Sequence, residues 1–66
     1  MLCNEDILKL MDENNYTAQT SFIGNVTHVH TKTHGQLIGI IEQLTHDTLK
    51  VNQCGKTYVI ERQDLL

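Results

Sequence analysis

The chain has 66 residues and a formal net charge of −3 at pH 7, and it contains one Phe, two Tyr and no Trp. This length leaves room for a single domain with a small core, because a chain of this size buries only about 60% of the surface that its unfolded form exposes. We therefore exclude a two-domain organisation and expect copies of the chain to associate, which would add buried surface.

The negative charge is concentrated at the N-terminal end. The first thirteen residues carry four carboxylates and one lysine, namely Glu5, Asp6, Asp12, Glu13 and Lys9. The rest of the chain carries equal numbers of acidic and basic side chains. Because phosphate binding normally needs a basic surplus, this balance disfavours nucleic acid as the main partner, and RNA is kept as an alternative.

The first predicted element is a helix over about residues 5–13. Asn4 is placed to cap it, and apolar residues follow at helical spacing, among them Ile7, Leu8 and Met11. Asn14 favours the left-handed conformation that ends a helix, and residues 17–21 are predicted to form a polar connector. So short a helix is unstable alone, so we expect its apolar stripe either to cover one end of the domain or to bind a partner protein.

From about residue 22 the period changes to two, which is typical of strands. In the first strand, Thr27, Val29, Thr31 and Thr33 share one face, and His28, His30 and Lys32 share the other. In the second strand, residues 36–44, both faces are apolar: Leu37, Gly39 and Ile41 lie on one side, and Ile38 and Ile40 on the other. Gly39 is expected to mark a bend, and Ile38, Ile40 and Val59 are predicted to form an interface between copies.

The remaining elements follow from local turn chemistry. Residues 45–47 form a turn, residues 48–52 a third strand, residues 53–56 a hairpin and residues 57–61 a fourth strand in which Tyr58 and Ile60 share a face. The tail is predicted to make a short turn and a last β-bridge through Leu65 and Leu66. The predicted fold is mainly β: one domain over 1–66, with a short N-terminal α-helix followed by a five-stranded, strongly bent antiparallel barrel over about 22–66.

This helix-first layout with glycine-marked bends resembles the Sm-like branch of the SH3/Sm small β-barrels, including the Hfq-type proteins. The resemblance covers about 43 residues. It also extends to small uncharacterised proteins of Bacillus-type bacteria, through Gly35, Leu37, Gly39, Asp47 and Tyr58. It implies a ring-shaped oligomer.

The Hfq-type RNA site is less well matched. That family reads RNA with an aromatic-Lys-His run on the fourth strand, and here Val59 and Ile60 follow Tyr58, with Glu61 next. The residues that could contact RNA or another anionic ligand are Lys32, Lys50, Lys56, Tyr58 and Arg62.

The segment 27–34 contains three of the four histidines. His28 and His30 point to the same side of the first strand, and His34 can fold over from the turn, so these three residues form a candidate metal site for zinc or a similar ion. A fourth ligand, Cys54 or Asp47, would have to come from another strand. The alternatives are a solvated strand face and a pH-sensing cluster.

No pattern of nucleophile, phosphate loop or paired carboxylates appears, so we expect no enzyme activity and no cofactor. The leading hypothesis is an oligomeric Sm-like interaction module that binds a protein partner or a small anionic ligand. The alternatives are an Hfq-like RNA-binding regulator and a metal-stabilised scaffold. The absence of a long apolar run and of a disulfide pattern for Cys3 and Cys54 predicts a cytoplasmic protein with reduced thiols and no membrane partner.

Overall fold

A computed structural model describes all residues from 1 to 66 and contains two helices followed by an antiparallel sheet. The bounds are α1 Asn4–Glu13, α2 Tyr16–Ser21, β1 Val26–Thr31, β2 Gly35–Leu44, β3 Thr48–Gln53, β4 Lys56–Glu61 and a final 3-10 helix, Arg62–Asp64. The four strands form one sheet in the order β1-β2-β3-β4. The mainly β class with a short leading helix is therefore confirmed. Neither helix is long and apolar enough to cross a membrane.

Helix α1 begins at Asn4, but its N-cap is Cys3. The backbone N–H of Cys3 donates to the Asp6 carboxylate at 2.9 Å, so the third helical residue reaches back to the cap. This backbone hydrogen bond, helped by the Cys3 thiol, holds the pKa of Asp6 below its ordinary value. The prediction that Asn4 caps the helix was wrong, because Asn4 already has helical geometry and its side chain is used elsewhere.

The Asn4 side chain joins α1 to β1 and to the C-terminus. Its Oδ1 accepts from the His30 N–H at 2.8 Å, and its Nδ2 donates to the carbonyls of His30 at 2.9 Å and of Leu66 at 2.8 Å. An amide is the side chain that can both accept from and donate to one strand residue. Three segments far apart in the sequence therefore meet at one residue.

The end of α1 is as predicted, and the following segment is not. Asn14 adopts the left-handed conformation, with φ of 49°, and ends the helix. The expected polar connector is instead the short helix α2, which begins where the Asn15 side chain accepts from the N–H of Ala18. Gln19 of α2 is buried and donates to the Leu10 carbonyl at 3.0 Å. This contact with α1 stabilises a helix in a segment whose polar sequence predicted a connector.

The core lies between α1 and one face of the sheet. Ile7 and Met11 of α1 are fully buried, so the apolar stripe of the helix packs on the sheet. The other buried hydrophobic residues are Val29, Leu37, Ile41, Leu44, Leu49, Val51, Ile60 and Leu65. Those in the strands alternate as the period of two predicts, except that Leu44 follows Ile41 by three residues, across an irregularity in the pairing of β2.

Strand β2 is shared by two neighbours. Its first half pairs with β1 and its second half with β3, and the register shifts between Ile41 and Gln43. Gly39 lies where β2 passes close to β3: a Cβ there would sit 2.2 Å from the Asn52 carbonyl oxygen. The absence of a side chain is therefore required by the close approach of two backbones.

The C-terminal tail returns to the outer edge of β1. Leu65 forms an isolated antiparallel bridge with Thr31, the Leu66 N–H donates to the His30 carbonyl, and the Lys32 N–H donates to the Asp64 carbonyl. The predicted bridge is confirmed at Leu65, but the chain has four strands and not the five expected. The 3-10 helix takes up three of the five tail residues, which leaves too few for a fifth strand.

Candidate interaction surfaces

Three exposed apolar side chains lie together on the outer face of β1 and β2. Val26, Ile38 and Ile40 are 43%, 50% and 41% exposed, and Val26 stands directly opposite Ile40 in the register. We call these three residues the β1–β2 apolar patch. Ile38 and Ile40 were predicted from the sequence, but Val26 was not. Val26 lies one residue before the predicted first strand and continues its alternation.

Val59, the third predicted interface residue, lies on a different surface. It is 51% exposed on β4, and β3 lies between it and the β1–β2 apolar patch. It lines an open groove of about 480 Å³, together with Lys32, Thr33, Glu61, Gln63 and Asp64. The structure therefore divides the three predicted residues between two surfaces.

Strand β4 has an edge that no other strand covers. It pairs with β3 alone, through a two-residue turn in which Cys54 and Gly55 have φ of 53° and 88°. In such a hairpin the residues flanking the turn form a hydrogen-bonded pair, so the alternate residues Thr57 and Val59 direct their N–H and C=O groups outward. This edge runs along the groove that contains Val59.

The candidate residues for RNA or anion binding are distributed over the molecule. The Lys56 Nζ lies 4.9 Å from the centre of the Tyr58 ring, and the His34 ring meets Tyr58 edge-on at 5.1 Å between centroids. Lys50 is half-buried on β3. Arg62 is paired with Asp12 of α1. Only Lys56, Tyr58 and His34 form one cluster, and His34 had been assigned to the metal site.

The three histidines of the predicted metal site are not gathered around one point. The rings of His28 and His30 lie side by side on the outer face of β1, with centroids 4.8 Å apart, whereas His34 packs against Tyr58. The chain contains no group of three or more His, Cys, Asp or Glu side chains arranged to hold a metal ion. Cys54 and Asp47, considered as further ligands, do not complete such a group. One chain therefore offers two neighbouring imidazoles and no third ligand.

Comparison with protein-family models, with curated proteins and with solved structures finds no match for this chain. The resemblance to the Sm-like proteins therefore stays a prediction from the sequence.

Proposed function

We propose that this protein is a non-enzymatic interaction module that associates with copies of itself and binds a protein partner or a small anionic ligand. The observation that carries the proposal is the β1–β2 apolar patch. A core of ten buried hydrophobic residues is small, so a half-exposed cluster of Val26, Ile38 and Ile40 is costly to leave in water. A second copy of the chain covers this patch in our proposal, because two identical apolar surfaces can bury each other. The nearby carboxylate of Glu42 is already engaged by the Thr57 hydroxyl.

We further propose that the domain is a small barrel of the Sm/SH3-like type. Two contacts between distant parts of the sheet support this proposal. The tail bridges the outer edge of β1 at Thr31, and His34 from the β1–β2 turn touches Tyr58 on β4. Both contacts require the sheet to curl so that its two edge strands approach each other.

The protein partner is proposed to bind at the outer edge of β4. An extended segment can pair with the outward N–H and C=O groups of Thr57 and Val59, as in other cases of strand addition to an open sheet edge. The adjacent groove presents the charged side chains of Lys32, Glu61 and Asp64 to the partner. A module of this kind fits a regulatory protein of a bacterium or a phage, which acts by occupying a partner's surface.

Sedimentation equilibrium in the presence of EDTA tests the self-association. We expect a mass above that of the 7.5 kDa monomer at high micromolar concentration. The double variant Ile38→Lys/Ile40→Lys should be a folded monomer, because burying two ammonium groups opposite their copies is strongly unfavourable. Val59→Lys, on the other surface, is the matched control and should keep the mass of the original protein. A monomeric original protein under these conditions would contradict the proposal.

A second candidate function is RNA binding, favoured by the cluster of Lys56, Tyr58 and His34. This cluster combines a cation, an aromatic ring and an imidazole, which are suited to phosphate contact and base stacking. Titration with short A-rich and U-rich RNA at two salt concentrations tests it. Binding should weaken steeply as salt rises and should be lost in Lys56→Glu, while Lys9→Glu on α1 leaves it unchanged. Absence of binding at low salt would exclude this function.

A further inference from the structure

The paired histidines of β1 have the separation that a shared metal ion requires. A tetrahedral zinc ion bound to one nitrogen of each ring at about 2.0–2.1 Å would place the two ring centroids about 5 Å apart. The observed separation of the His28 and His30 centroids is 4.8 Å, with the ring planes inclined by 34°. The spacing of the two rings therefore matches that of two imidazoles bound to one ion.

The orientation of His28 is also that of a metal ligand. Its Nε2 lies 3.2 Å from the Oε1 of Gln36, which stands opposite His30 on β2 and reaches His28 diagonally. The amide oxygen only accepts hydrogen bonds, so Nε2 carries the proton and Nδ1 keeps its lone pair. Histidines that bind metals usually donate their second ring N–H to an oxygen in this way, which fixes the ring.

Two imidazoles are half of a structural zinc site, which normally has four protein ligands. The chain supplies no third ligand in its own fold. His28 and His30 share the outer face of β1 with the apolar patch, and His28 stands opposite Ile38. When two copies meet patch to patch about a two-fold axis, the second pair of imidazoles faces the first.

We propose that His28 and His30 of two copies together bind one zinc ion, or a similar borderline divalent ion, at a two-fold interface formed by the β1–β2 apolar patch. The site depends on the proposed self-association, and zinc is the ligand that the associated copies bind. Gln36 is a positioning residue, which orients His28. The apolar side chains around the site exclude water and strengthen each zinc–imidazole bond. The one carboxylate of β2, Glu42, accepts a hydrogen bond from the Thr57 hydroxyl, so the four neutral imidazoles are the ligands that we propose.

The test measures the dimer dissociation constant by sedimentation equilibrium in EDTA and with added zinc chloride. We expect zinc to lower that constant at least about tenfold, because an ion that binds only the dimer shifts the equilibrium toward it. Native mass spectrometry should show one zinc per two chains. The double variant His28→Asn/His30→Asn should lose the zinc effect, and His34→Asn should keep it.

Gln36→Ala gives a separate measurement of the positioning role. Competition with a chromophoric chelator should show zinc affinity reduced by about ten- to a hundredfold, with the two-chain stoichiometry preserved. Circular dichroism in EDTA should show all variants folded, since the substituted side chains lie on the surface.

Three outcomes would overturn the metal site: no effect of zinc on the dimer constant, one zinc bound per monomer, or equal zinc binding by the double histidine variant. These outcomes are distinguishable from failure of the proposed function. If the protein associates in EDTA and zinc does not change its dimer constant, the self-association is supported and the metal site is excluded. If the protein is monomeric both in EDTA and with zinc, both the self-association and the metal site are excluded.

Discussion

At the scale of single residues, Gly39 shows how a missing side chain sets the distance between strands. An added Cβ would lie 2.2 Å from the Asn52 oxygen and 2.9 Å from a methyl group of Val51. Both distances are far below van der Waals contact, and the nearest obstacle is backbone, which cannot rotate away. Gly55 in the β3–β4 turn is the opposite case: it has open space around it, and its φ of 88° is what favours glycine.

We expect Gly39→Ala to lower the free energy of unfolding by about 3 kcal/mol, because β2 and β3 must separate to admit the methyl group. Gly55→Ala is the matched control, and it should cost about 1–2 kcal/mol from backbone strain alone. Urea denaturation measures both values, and hydrogen exchange should be faster at β2 and β3 in the first variant only. Equal costs would show that the two strands are not in close contact at Gly39.

At the scale of the elements, the C-terminal end of α1 is completed by residues from elsewhere. Its last turn contains no basic residue. The Leu10 carbonyl accepts from the Gln19 side chain, and the Met11 carbonyl accepts from the Asn14 N–H and from the His46 ring at 2.9 Å. His46 must carry its proton on Nδ1, since a carbonyl cannot donate. Helix α2 has only six residues, and the bond from Gln19 to Leu10 joins it to α1.

Gln19→Ala should lower the free energy of unfolding by about 1–2 kcal/mol, since it leaves a carbonyl at the end of α1 without its partner. Gln63→Ala is the matched control: Gln63 is exposed and forms no side-chain hydrogen bond, so its loss should change stability by less than about 0.5 kcal/mol. Thermal and urea unfolding measure the two variants. A Gln19 variant as stable as the control would mean that α2 does not support α1.

At the scale of the whole molecule, the two ends of the chain are joined along β1. Leu2 bridges Thr27 in parallel, and Leu65 bridges Thr31 in antiparallel orientation. Asp64 fastens the tail to the β1–β2 turn: its carboxylate accepts from both the N–H and the hydroxyl of Thr33. Strand β1 is thereby covered on its outer edge, while β4 remains open. An added strand would therefore pair with β4.

Asp64→Ala should lower the free energy of unfolding by about 2–3 kcal/mol, because two hydrogen bonds to a charged group are lost. The control is Glu61→Ala. Glu61 lines the same groove, but its side chain forms no hydrogen bond, so we expect the free energy of unfolding to change by less than about 0.5 kcal/mol. Hydrogen exchange should be faster at Lys32 and Leu66 in the Asp64 variant. Unchanged exchange at these amides would contradict a fastening role for Asp64.

The sequence by itself determined the parts of this protein that depend on neighbouring residues. Alternation of apolar and polar side chains identified the inner face of every strand, including Leu49, Val51 and Ile60. The positive φ of Gly55 and of Asn14 follows from residue types that tolerate it, whereas Cys54 has a φ of 53° because the two-residue turn imposes it. The exposure of Ile38, Ile40 and Val59 follows from the same alternation.

Only the tertiary structure decided what depends on residues far apart in the chain. In the structure Asn4 binds His30 and does not cap the helix. The predicted polar connector is the helix α2, and the predicted fifth strand is a single bridge at Leu65. The fold separated Val59 from the β1–β2 apolar patch and left His28 and His30 as a pair without His34. The physical reason is common to all these cases: each depends on which backbone groups and side chains the fold brings within contact distance, and periodicity along the sequence carries no such information.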